Sequence, residues 1–259
     1  MRRSRYLLAA LLAAACLPAT TLAAPAAKLR VSLNPEQLGR GTNLAFRLHI
    51  YTPNGQPPTP VTQLDLSYPS TLGIAVGGLG LVSCPRIALE ALGTEGCSPN
   101  ARMGQGHAIA EIPFGPEIVS ETADIAVLRA PEQQGRIGMY FFIEAHTPLN
   151  AELIDPGILL PTATPSRETL QVKVPLLRPL PDGPYAALVQ LDASIGPNGL
   201  TYNEHTNGHL ITYKPAGILL PDTCPHGGFQ FTAHLTFITG THTTTQTRVP
   251  CPGEQPRHR

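Results

Sequence analysis

Apolar side chains in this chain recur at every second position over short runs, and nearly every run stops at a proline or a glycine. Residues 43–51 (NLAFRLHIY) place Leu44, Phe46, Leu48 and Ile50 on one side with polar residues between them, and Pro53-Asn54-Gly55 follows. Residues 61–68 (VTQLDLSY) put Leu64, Leu66 and Tyr68 together before Pro69, and residues 29–33 alternate up to Asn34-Pro35. A period of two is that of a strand with one buried face, and proline cannot extend a central strand. The chain is therefore expected to be all-β.

Further runs carry the same signal. Residues 108–112, 123–128, 169–174 and 186–191 read as strands. Residues 137–143 bear Met139, Phe141 and Ile143 on one face and Tyr140 and Phe142 on the other, which predicts a central strand covered on both sides. The proline-rich connection 175–184 contains Asp182-Gly183, a tight reversal, and residues 201–213 form a hairpin about Asn207-Gly208, a pair suited to positive φ. Residues 229–238 (FQFTAHLTFI) and the Thr-rich return 241–249 form a C-terminal β-hairpin. Short antiparallel strands without helical periods between them predict a β-sandwich of immunoglobulin-like or jelly-roll type. It is expected to occupy residues 28–252, either as one unit or as 28–200 plus a hairpin-rich 201–252 unit, with 253–259 a disordered tail.

The first residues read as an export signal. Met1-Arg2-Arg3-Ser4-Arg5 precede an apolar run, 6–15, and then Pro18 and the small residues 19–24. Cleavage after Ala23 would remove 1–23, with 24–26 a second choice, and the run is too short to span a bilayer. Residues 12–16 (LAAAC) offer another reading, a lipoprotein signal in which Cys16 is lipidated and tethers the chain to the envelope. Either route takes Cys16 out of the count and leaves Cys84, Cys97, Cys224 and Cys251. Four cysteines in an exported chain imply two disulfides, with three connectivities open. Pairing Cys84 with Cys97 closes a loop containing Gly93 and Gly96. Cys224 and Cys251 lie just outside the two strands of the last hairpin, at nearly equal distances from its turn. Such bonds stabilise by about 3 and about 3.5 kcal/mol in the chain-entropy model.

Charge narrows the partners. Lys plus Arg and Asp plus Glu both number 18, and charged residues are 14% of the chain, so the overall charge offers no electrostatic reason to bind nucleic acid. The glycine-rich run 73–80 lacks the Gly-Lys-Ser/Thr of a phosphate loop and reads as a loop or bulged strand. No nucleophile-elbow, zincin or calcium-loop motif occurs. His205 and His209 flank Asn207-Gly208, where a two-residue turn sends their side chains to opposite faces, so they cannot share a metal. His234 and His242 flank the last turn and are read as exposed hairpin residues. The carboxylates Asp65, Glu111, Glu152 and Asp155 stand singly, which names no glycosidase pair. Trp is absent and aromatics are 5%, a poor supply of stacking platforms for sugars. The stretch GILLP at 157–161 recurs at 217–221 without matching surroundings.

The succession VTQLDLSYPSTL, Cys84-Pro85, Cys97-Ser98-Pro99 through Gly104, and the closing Cys224-Pro225 and Cys251-Pro252 resembles a group of uncharacterised secreted, β-rich, disulfide-containing proteins of high-GC actinobacteria. Their second cysteine is followed directly by proline, whereas Ser98 intervenes here. The resemblance implies export and a β-rich fold and carries over no active site. The expectation is a secreted interaction or structural protein that uses no cofactor or metal and no catalytic residue, and has no transmembrane segment. Its partner would be a protein or a cell-surface polymer. The alternative is an extracellular enzyme or carbohydrate-binding module acting on cell-wall or environmental polymer.

Overall fold

A computed structural model describes residues 25–73, 78–147, 150–161 and 167–252. The leader, Cys16, the tail and part of the glycine-rich run lie outside the described residues. The chain forms β1 (Ala26–Asn34), β2 (Gly41–Tyr51), β3 (Val61–Pro69), helix α1 (Arg86–Leu92), β4 (Arg102–Phe114), β5 (Glu117–Gln133), β6 (Arg136–Thr147) and β7 (Ala151–Pro161). There follow β8 (Arg167–Lys173), β9 (Ala187–Ile195), β10 (Tyr202–Thr206), β11 (His209–Tyr213), β12 (Ile218–Leu219), β13 (Phe229–Phe237) and β14 (His242–Val249).

The main sheet runs β1-β2-β9-β4-β5-β6-β7-β8-β3-β13-β14, antiparallel throughout, with β12 added on β2. Its two ends meet: β1 lies against β14, and Thr243 Oγ1 donates to the Pro25 carbonyl at 2.6 Å. The all-β class and both staples agree with the sequence reading. The layering takes a different form from the expected immunoglobulin-like or jelly-roll sandwich, because pairing is continuous and the sheet is barrel-like and nearly closed. Alternation dictates that one face must be buried, and curling one sheet upon itself buries that face as well as stacking two.

Inside the barrel lie Leu44, Phe46, Leu48 and Ile50 of β2, facing Phe229, Phe231, Leu235 and Phe237 of β13, all buried. Among the described residues the buried charged side chains are Glu121 and Asp155. Among the described residues no helix is long and apolar enough to cross a membrane.

A second core lies on the outer face. Ala126 and Leu128 of β5 and Tyr140 and Phe142 of β6 are covered by Leu89 of α1 and by the Cys84–Cys97 disulfide. This cover is why β6 is apolar on both sides. The helix has only seven residues, starts after Pro85 and stops at Gly93, whose φ of 60° suits glycine. So short a helix is marginal by itself, and burial of Leu89, worth about 1.5–3 kcal/mol, together with the disulfide holds it down. The second disulfide, Cys224–Cys251, brackets the β13–β14 hairpin as expected. Asn207 and Gly208 both have positive φ in the β10–β11 turn, also as expected. The repeated GILLP serves two different purposes: its first copy lies in β7, and its second supplies only the two-residue β12.

Candidate functional site

The densest polar chemistry lies outside the barrel, where register aligns residues that are far apart in the chain. Arg30 pairs across to Arg47, Arg47 to Asp192, Asp192 to His107, His107 to Asp124, and Asp124 to Glu144. Each sits at an outward position of its strand, so the row runs from a basic end on β1 and β2 to an acidic end on β5 and β6. The neighbouring row is small or neutral: Ser32, Ala45, Ser194 and Gln105. Long side chains beside short ones leave an open trough of about 550 Å³. Gly106 permits this geometry, since a Cβ there would meet the Asp192 carbonyl oxygen at 2.5 Å and push β4 from β9.

Hydrogen bonds hold the row in place. Arg47 Nε donates to Asp192 Oδ1 at 2.5 Å, and Gln190 Nε2 donates to Asp192 Oδ2 at 2.8 Å. His107 Nδ1 meets Asp124 Oδ1 at 2.6 Å, while His146 Nε2 meets Asp124 Oδ2 at 3.0 Å. One carboxylate on β5 thus bridges two imidazoles on the strands at either side of it, β4 and β6. The His146 hydrogen bond is the largest influence on the Asp124 carboxyl; burial opposes it, and the His107 hydrogen bond with the charge of both imidazoles leaves the group below its ordinary value. The group remains exposed, so its charges are screened by solvent and salt. Ser194 Oγ donates to the Gln105 carbonyl at 3.4 Å and not to His107, so no nucleophile–base hydrogen bond is formed there.

A different site lies inside the barrel. A cavity of about 90 Å³ is lined by Phe46, Leu66, Ile125, Phe141 and Leu170 among other apolar groups, and by one carboxylate, Asp155 of β7. Asp155 stands opposite Phe141 and shares the inward face with Gly157 and Leu159. It is 5% exposed, and burial raises its carboxyl to about 7. Among the described residues no side-chain hydrogen bond or ion pair reaches it. Gly157 keeps the space beside it open, since a Cβ there would meet the Phe141 ring at 2.7 Å.

The residues singled out from the sequence lie as follows. Cys84 bonds to Cys97, and Cys224 to Cys251. His205 faces Leu210 and Thr206 faces His209, so the two histidines point to opposite faces. His234 and His242 stack at 5.1 Å, their Nδ1 atoms engaged by Thr244 and Thr236. Asp65 is bonded by Gln63, while Glu111 and Glu152 sit on separate strands, β4 and β7. Among the described residues no three His, Cys, Asp or Glu side chains group to hold a metal. The sequence reading missed His107, Asp124, His146 and Asp192. Their outward alternation was a usable signal, but the strand order that makes β4 the neighbour of β9 was not. Comparison of the chain with models of protein families, with curated proteins and with solved structures finds no match in any of the three.

Proposed function

We propose that this protein is a secreted extracellular interaction module that binds a protein or cell-surface polymer along the trough on β1, β2, β9 and β4, without catalysis. The observation that carries the reading is the aligned row Arg30, Arg47, Asp192, His107 and Asp124, basic at one end and acidic at the other. An open, mixed-charge surface recognises a polar partner by complementary charge and hydrogen bonds, and gives register and orientation more than raw affinity. The leader and the two disulfides support export, since such bonds persist in oxidising compartments. A second reading, an enzyme acting on an extracellular polymer, is favoured by the His107–Asp124 pair, an imidazole oriented by a carboxylate at 2.6 Å beside the trough.

One experiment separates the two. Purified protein is co-sedimented with insoluble cell-wall polymer and, separately, applied to an array of purified surface proteins, while released soluble fragments are measured. The binding reading expects saturable binding, at least tenfold weaker for Arg47→Glu, with no fragments released. Unchanged binding by Arg47→Glu and His107→Ala overturns it. Fragments released by the wild type and lost in His107→Ala establish the enzyme instead.

A further inference from the structure

We infer that the cavity inside the barrel is a binding site for a short aliphatic primary amine, either a free alkylammonium or the side chain of a partner's lysine, with Asp155 as its counter-ion. The site is separate from the outer trough and does not depend on the role given to it.

The argument starts from the unpartnered carboxyl. A carboxylate in apolar surroundings costs several kcal/mol unless it is paired or protonated, and Asp155 is 95% buried with no partner among the described residues. Its cross-strand neighbour on β6 is Phe141, and β8 presents Leu170 and Val172 toward the cavity, so no charged group from the adjoining strands compensates it. The complement to such a lining is an apolar body with one cationic hydrogen-bond donor at its end. A pocket of this polarity that required only an apolar occupant would not need the carboxyl.

Size narrows the class. An apolar cavity of about 150 Å³ holds benzene, with its six heavy atoms. The cavity here, about 90 Å³, suits roughly four or five. n-Butylamine has that size, and it reproduces the end of a lysine side chain. Access is available because Ala108, Ile143, Val174, Leu188 and Leu191, which also line the cavity, are only half-buried. An ammonium entering beside them would reach the carboxylate in a medium of low dielectric, where a charge-assisted hydrogen bond is strong.

The test is a titration of isotope-labelled protein with n-butylamine hydrochloride at pH 8, where the amine is protonated, followed through the methyl resonances of Ile125, Ile143, Leu170 and Val172. Expected are saturable shifts at these methyls, at least tenfold weaker binding by Asp155→Asn, and at least tenfold weaker binding of n-butanol by the wild type. The alcohol comparison needs no variant, so it stands even if Asp155→Asn folds poorly. Absence of saturable shifts, equal binding by Asp155→Asn, or equal affinity for n-butanol overturns the inference. A parallel titration with Nα-acetyl-lysine methylamide identifies the source. The same methyl shifts assign the site to a partner's lysine, and shifts with butylamine alone assign it to a free amine.

Discussion

Asp124 and Asp155 flank the same strand, β6, and have opposite fates. Asp124 on β5 pairs with Glu144, and Asp155 on β7 pairs with Phe141. Those two β6 positions are three residues apart, an odd number, so they lie on opposite faces of the sheet. Outside, two imidazoles and water keep Asp124 ionised. Inside, burial among apolar side chains raises the Asp155 carboxyl to about 7. Residue type is identical in the two cases, and the side of the sheet alone decides the chemistry.

The largest expected effect tests the inner carboxyl. Folding raises the Asp155 value from 3.8 to about 7, so the native state keeps a proton that the unfolded chain loses. Stability therefore falls as pH rises between those values, by about 1.4 kcal/mol per unit and about 4 kcal/mol in all. Asp155→Asn should match the wild type at pH 3 and exceed it by up to about 4 kcal/mol at pH 8, read from urea midpoints. Parallel profiles for the two proteins would mean that the carboxyl is not buried, and the contrast with Asp124 would collapse.

The next effect concerns the cover on the outer face, which shields Ala126 of β5 and stops short of Asp124, two residues away on the same face. Replacing Cys84 and Cys97 together by alanine should cost about 3 kcal/mol through a less restricted unfolded chain. It should leave the pH-dependent difference between wild type and Asp155→Asn unchanged, because that difference arises on the other face. A changed difference would show that the two faces are coupled.

The smallest effect belongs to Asp124 itself. Its folded value is lowered, so its ion pairs add stability above the unfolded value near 3.8, and that stability is lost as pH falls through the folded value. The side chain is 54% exposed, which limits Asp124→Asn to about 0.2–1 kcal/mol at pH 7, shrinking further in high salt. Urea unfolding of the variant at low and high ionic strength checks this. A loss of several kcal/mol would make Asp124 a buried structural anchor rather than a surface group.

Much of the strand pattern was legible because alternation is a local property. The runs around Leu44, Leu64, Phe141 and Phe231 declare their inward faces without reference to any neighbour. The Asn207-Gly208 turn is equally local, since only its own φ angles matter. The β7 strand was harder to see: Asp155, Pro156 and Gly157 interrupt its apolar pattern, and the interruption is the part that borders the cavity. Helix α1 carries no comparable local signal, because its stability comes from the disulfide and from Phe142 beneath it rather than from its own sequence.

The amino-acid sequence by itself determined the all-β class and the inward residues of most strands, and it favoured the observed pairing among three for its cysteines, all of which follow from short-range spacing and turn chemistry. Tertiary structure alone decided that β9 inserts between β2 and β4, that β3 lies between β8 and β13, and that one sheet curls until β1 meets β14. These choices depend on pairing energies summed over strands distant in the chain, which no local pattern encodes. They place Asp192 beside His107 and leave Asp155 facing a cavity, and so both candidate sites are products of the strand order.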